Sequence, residues 1–111
     1  MLEVSFEDAD LAEIFRNPRE LRRKHGAVRA KKIEQRLKSL RDAGSLADMR
    51  YLPGRCHELH GDLTGHLTLD LDHPFRLLIR PGAAPRTGGA RSLDWTAVTG
   101  VVVLGVIDTH R

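Results

Sequence analysis

Two alternating runs separated by a three-residue breaker point this chain to an antiparallel hairpin at its centre. Leu67, Leu69 and Leu71 alternate with His66, Thr68, Asp70 and Asp72. After Asp72-His73-Pro74, the residues Phe75, Leu77 and Ile79 alternate with Arg76, Leu78 and Arg80. A period of two sends one set to a buried face and the other to the opposite face. Two such runs across a short breaker read as a hairpin. Residues 61–65 carry glycine at each end and supply the preceding turn, so 57–60 reads as a short third strand. His57, His60, His66 and Arg76 are thereby brought close together.

The rest of the chain reads as support for that sheet. Leu2, Val4 and Phe6 alternate with Glu3 and Ser5, a short first strand. Asp8 can cap a helix whose apolar face is Leu11, Ile14 and Phe15. Asn17-Pro18 restarts helix, asparagine as cap and proline in the first turn. His25-Gly26 resembles a helix end. The spacing of Ala30, Ile33, Leu37 and Leu40 predicts the longest helix over 27–43, stopped by Gly44; whether 18–43 is one kinked helix or two stays open. Residues 45–49 suit a single helical turn. Residues 81–91, rich in Gly, Pro and Ala, read as a mobile surface loop, which Leu93, Asp94 and Trp95 return to the body. The apolar run 100–107 reads as a central strand covered on both faces. The sum is a single domain, 1–111, of class α+β: two to three N-terminal helices packed on a twisted, mostly antiparallel sheet of four to five strands.

Charge narrows the function classes. The net charge is only +3, yet residues 16–41 hold eleven Lys or Arg against Glu20 and Glu34. Arg22, Arg23, Lys24, Arg29, Lys31, Lys32 and Arg36 are the candidates for gripping a polyphosphate backbone or an acidic partner; a merely solvated helix face is the alternative. No run approaches the length of a membrane span. The N-terminus has no basic region before an apolar run, so no secretory signal is expected and the cytoplasm is the expected location. One cysteine and six scattered histidines show no zinc spacing, so neither a metal nor a cofactor is expected. Cys56 reads as a small buried residue, His25 and His73 as structural, and Asp62 as a turn former.

Three features in fixed order resemble one family. They are His57-x-Leu59-x-Gly61-Asp62-x-x-Gly65, the Phe75-Arg76-Leu77 strand after a turn, and the terminal Asp108-x-His110. Preceded by a helical pair and an arginine-rich helix, they resemble the HigB-like toxins of the RelE/ParE superfamily, the plasmid maintenance killer proteins. The resemblance covers nearly the whole chain. It implies a ribosome-dependent endoribonuclease that cuts mRNA in the decoding site. It also implies a cognate helix-turn-helix, HigA-like antitoxin that forms a hetero-oligomer with the toxin and represses the operon. Carried over, His57 and His110 match the family's active-site histidines, Asp108 its terminal acidic residue and Arg76 the arginine after the hairpin turn. Thr109 stands where the family often has tyrosine, and His60 where it often has lysine.

The chemistry implied needs no metal. The RNA's own 2′-oxygen attacks phosphorus while a base removes its proton, an acid protonates the 5′-oxygen and a cation holds the phosphate oxygens. Histidine suits either proton role near neutral pH, and arginine's fork matches phosphate. His57, Arg76 and His110 are the expected set, with Asp108 orienting a histidine and His60 and His66 nearby. Two other readings remain: a ParE-like toxin that inhibits DNA gyrase without catalysis, and a catalytically weakened member that acts only in a repressor complex.

Overall fold

The computed structural model describes residues 1–82, 86–87 and 92–109. Strand β1, Glu3–Phe6, is followed by helix α1, Ala9–Arg16, at whose start the Asp8 carboxylate accepts from Leu11 N at 2.8 Å. Helix α2, Pro18–His25, starts at Asn17, whose Oδ1 accepts from the amides of Arg19 and Glu20. These two caps satisfy amides that the helices leave without partners. Gly26, at φ +83°, then separates α2 from α3, Ala27–Asp42. The 18–43 stretch is therefore two helices, because the left-handed backbone at Gly26 cannot continue the first.

Ala30, Ile33, Leu37 and Leu40 are all buried, as their spacing predicts. Burying each of the larger ones contributes about 2 kcal/mol. A 3₁₀ turn over Leu46–Tyr51 takes the place of the expected helical turn. Strand β2 is only His57–Glu58, and a 3₁₀ turn, Gly61–Leu63, connects it to β3, Leu67–Asp70. Then come β4, Phe75–Pro81, a short pair of strands, β5 (Arg86–Thr87) and β6 (Ser92–Leu93), and β7, Gly100–Asp108. Most of the loop expected at 81–91, and residues 110–111, lie outside the described residues.

The main sheet has the order β1-β7-β4-β3-β2. The expected hairpin is β3–β4, paired Leu67 to Ile79 through Asp70 to Arg76. β4 and β7 are antiparallel, with a break in register between Leu78, paired with Gly105, and Ile79, paired with Val103, where Leu104 is the one extra residue of β7. Among the described residues, β1–β7 is the one parallel pair. The sheet is thus five-stranded and mostly antiparallel. Leu67, Leu69, Leu77, Ile79, Val101 and Val103 face α1–α3 and merge with the helix stripe into one buried cluster. Among the described residues, the helices α1–α3 occupy one face of the sheet. β7 is consequently not covered on both sides: Val101 and Val103 are buried, whereas Val102, Leu104 and Ile107 are half-buried.

Two local environments carry testable consequences. Cys56 is buried, and burial pushes its thiol up to about 12, with Glu58 adding to the effect and Arg50 opposing it. At pH 8 it should react with a thiol reagent such as DTNB only as fast as the chain opens; stoichiometric reaction within the mixing time would contradict this burial. His25 packs edge-on against Phe15. Burial, then Lys24 and Arg29, lower its pKa from 6.5. The unfolded chain takes up this proton first, so the contribution of His25 is intact above pH 6.5 and is lost as pH falls towards the lowered native value. His25→Gln should therefore flatten the decline in urea-unfolding midpoint between about pH 7 and 5.5.

Candidate active site

The second face of the sheet, opposite the helices, carries the polar members of the alternating runs. Register places His57, Thr68 and Leu78 in one row across β2, β3 and β4, and Asp70 beside Arg76 in the next. Rows are two residues apart, about 7 Å along each strand.

His57 and Arg76 meet directly. His57 Nδ1 lies 2.8 Å from the Arg55 carbonyl, and His57 Nε2 lies 3.2 Å from Arg76 Nη1. A carbonyl only accepts and a guanidinium only donates, so in this arrangement Nδ1 carries the hydrogen and Nε2 presents its lone pair to Arg76. Thr68, fully buried beneath, places its hydroxyl 3.5 Å from the same Nε2. The ring is thus held in one tautomer with its basic nitrogen against a phosphate-matching cation. A 2′-hydroxyl whose phosphate replaced the Nε2–Arg76 contact would meet a base and a charge stabiliser together.

Asp70 organises the cations. Its Oδ2 accepts from Arg55 Nε at 2.5 Å, and its Oδ1 lies 3.4 Å from Arg76 Nε in an ion pair without hydrogen-bond geometry. The hydrogen bond and charge of Asp70 raise the Arg55 pKa. Asp70 is itself tied down: its amide donates to the Gly54 carbonyl at 2.7 Å, and its carbonyl accepts from Arg36 Nε at 2.7 Å. On the other side of β2, Trp95 Nε1 donates to Glu58 at 2.7 Å while Arg50 stacks on the indole at 4.1 Å. That anchor fixes the strand on which His57 stands.

The other expected site residues are placed as follows. His66 stands opposite Arg80 by extension of the β3–β4 register, one row beyond Thr68, with Nδ1 3.2 Å from the Leu63 carbonyl. His60 is exposed at the start of the 3₁₀ turn and, among the described residues, takes no part in the His57–Arg76 network. Asp108 pairs with Phe75, and Ile107 with Arg76. Strand alternation therefore sets Asp108 on the opposite side of β7 from the residue facing Arg76. Thr109 holds the chain end: its amide and hydroxyl both donate to the Pro74 carbonyl, at 3.0 and 2.8 Å. His110 lies outside the described residues.

The basic helices need correcting at two positions. Arg36 is 8% exposed and committed to the Asp70 carbonyl, so it is not a surface cation; burial lowers its pKa. Arg29 makes a two-pronged pair with Asp72, at 3.0 and 3.1 Å, and stacks 3.5 Å over Phe75. It fastens α3 to the β3–β4 turn. Arg22, Arg23, Lys24 and Lys31 are exposed and Lys32 half-exposed, as a docking face requires. Sequence reasoning missed Arg55, Asp70 and Glu58. The signal for Asp70 was its place on the polar side of the alternation, opposite Arg76.

No protein-family profile and no curated protein sequence matches the chain. Solved structures do. The "YoeB-YefM complex from Staphylococcus aureus" superposes with a TM-score of 0.57 at 17% identity over 100% of this chain and 99% of that one. The "YoeB/ParE toxin from Agrobacterium tumefaciens" gives 0.60 at 12% identity over 98% and 100%. The YoeB dimer from Staphylococcus aureus gives 0.54 at 18% over 99% and 98%. At such identities the likeness is one of fold. The chain shares its α+β fold with these YoeB and YoeB/ParE toxins end to end, and the likeness does not single out the HigB-like toxins.

Proposed function

We propose that the protein is the toxin of a type II toxin–antitoxin system and a ribosome-dependent endoribonuclease that cuts mRNA by 2′-hydroxyl attack, without a metal. The observation that carries this reading is the His57 Nε2–Arg76 Nη1 contact on the helix-free face of a fold shared with toxins. A base and a phosphate-holding cation in contact are what this reaction needs and what a purely binding toxin does not. The exposed cations of α2 and α3 would dock on ribosomal RNA phosphates, and His110, following the pinned Thr109, would be the proton donor. Among the described residues no group of His, Cys, Asp and Glu is arranged to hold a metal ion, and no helix is long and apolar enough to cross a membrane. The partner we propose is an antitoxin encoded alongside, a helix-turn-helix protein of the HigA kind. One of the fold's neighbours, the Staphylococcus aureus YoeB, is recorded in complex with YefM.

Induced expression in cells lacking an antitoxin tests the reading. Growth should stop and primer extension should show new 5′ ends within translated mRNA, and the His57→Ala/Arg76→Ala pair should abolish both. Growth arrest that survives the double substitution, without new mRNA ends, would point instead to a gyrase-type binding toxin.

A further inference from the structure

Arg55 is not accounted for by the His57–Arg76 pair. It stands at φ +47°, a left-handed conformation uncommon for a residue with a side chain, directly after Gly54 at φ +115°. Backbone of this kind persists only where its surroundings hold it. Here the holding is visible: Gly54 accepts from the Asp70 amide, Arg55 O accepts from His57 Nδ1, and Arg55 Nε reaches Asp70 Oδ2. Continuing the β2–β3 register by two pairs beyond His57–Thr68 sets Arg55 across from Asp70. Arg55, Asp70 and Arg76 therefore form a row across neighbouring strands, about 4.8 Å apart. One carboxylate takes a guanidinium on each oxygen, both through Nε. The Arg55 side chain remains 72% exposed and that of Arg76 25%. Between them lies a cleft of about 60 Å³ bordered by the His73-Pro74 turn. That is far below the roughly 300 Å³ of a small-molecule pocket, and suits a group entering from a polymer that lies across the surface.

We propose that Arg55 and Arg76 form a two-guanidinium clamp for successive phosphates of a single RNA strand, with Asp70 as the positioning residue that sets their spacing. This rests on the reading above. Arg76, in contact with His57, takes the phosphate to be cut. Arg55, on the far side of Asp70, takes the neighbouring one and so fixes which 2′-oxygen arrives at His57 Nε2. Asp70 neutralises one of the two charges, which lets the guanidiniums stand side by side before RNA arrives. By engaging Nε it leaves to phosphate oxygens the terminal nitrogens of Arg55 and, on Arg76, the one that does not meet His57. Arg36 contributes from beneath by holding the Asp70 carbonyl.

The test is an NMR titration of the ¹⁵N-labelled protein with an uncleavable 2′-O-methyl trinucleotide, following the arginine Nε–Hε signals. Arg55 and Arg76 should shift along one saturation curve. In Arg55→Ala, whose exposed side chain can be removed without disturbing the core, Arg76 should still respond, with affinity about tenfold weaker, the effect of one lost charge-assisted hydrogen bond. Asp70→Asn should split the two responses, and Asp70→Glu should restore part of the concert. A shift of Arg76 without Arg55, or of neither, overturns the clamp, as does wild-type affinity in Arg55→Ala. Cleavage on ribosomes separates this from the parent reading. With the clamp, Arg55→Ala raises KM and leaves kcat within about threefold. Concerted shifts in a protein that cuts no mRNA would leave the clamp standing and remove the nuclease. Cutting with unchanged KM in Arg55→Ala would do the reverse.

Discussion

Arg76→Ala should reduce the rate of ribosome-dependent mRNA cleavage by about 10³-fold, the loss seen when one preorganised donor to a developing charge is removed. The guanidinium contacts both His57 and Asp70, so its removal takes away phosphate neutralisation and also frees the imidazole. His57→Ala should cost about 10²- to 10⁴-fold, the range for a general base. The double variant should lose less than the product of the two, because the residues act as one unit. Arg76→Lys should recover little, since an ammonium cannot span two phosphate oxygens and reach His57 as the fork does. Single-turnover rates on programmed ribosomes measure all four. Both side chains are half-buried on the helix-free face, so thermal unfolding should change little, and a collapsed melting curve in Arg76→Ala would assign it a structural role instead.

Gly54→Ala should be among the most destabilising single-methyl changes in the chain. A Cβ there would stand 2.8 Å from Arg36 Nε and 2.9 Å from its Cδ, on a backbone at φ +115°. An arginine would ordinarily swing aside, but Arg36 is buried and donates to the Asp70 carbonyl. Moving it leaves a buried guanidinium short of its acceptor. Strain and crowding together suggest a loss of roughly 3 kcal/mol, with a Tm lower by roughly 12 °C. The Arg36→Ala/Gly54→Ala double variant should be less destabilised than the two single variants combined, because the second methyl enters the space that the guanidinium left. Differential scanning calorimetry of the three proteins gives the coupling. Strict additivity would show that the glycine is required by its backbone angle alone.

How far the sequence can be read is clear from particular residues. The β3–β4 hairpin was legible because a period of two with leucines on one side admits a single register in which they are buried. Asp8 and Asn17 were legible as caps because their chemistry is local. Gly26 marked a helix end, yet whether the chain resumed as a separate helix depended on a backbone angle that spacing does not encode. β1 was legible as a strand, but its parallel pairing with β7 was not, since that contact joins the two ends of the chain.

Within the site, His57 and Arg76 were legible together because the hairpin and its turn bring them near each other. Arg36 and Arg29 misled for a physical reason. An arginine-rich helix looks uniformly cationic in sequence, while burial of Arg36 and stacking of Arg29 on Phe75 follow from where α3 crosses the end of β3. Arg55 and Asp70 were missed because an ion pair between residues fifteen apart leaves no periodic trace.

The most direct test of the central claim, that the His57–Arg76 pair performs RNA cleavage, is the chemistry of the ends made on purified ribosomes programmed with a defined mRNA. Attack by the 2′-oxygen predicts fragments beginning with a 5′-hydroxyl, preceded by fragments ending in a 2′,3′-cyclic or 3′-phosphate, formed by the wild-type protein and absent with His57→Ala/Arg76→Ala. Fragments beginning with a 5′-phosphate, equal cutting by the double variant, or an intact mRNA with the wild-type protein would contradict it.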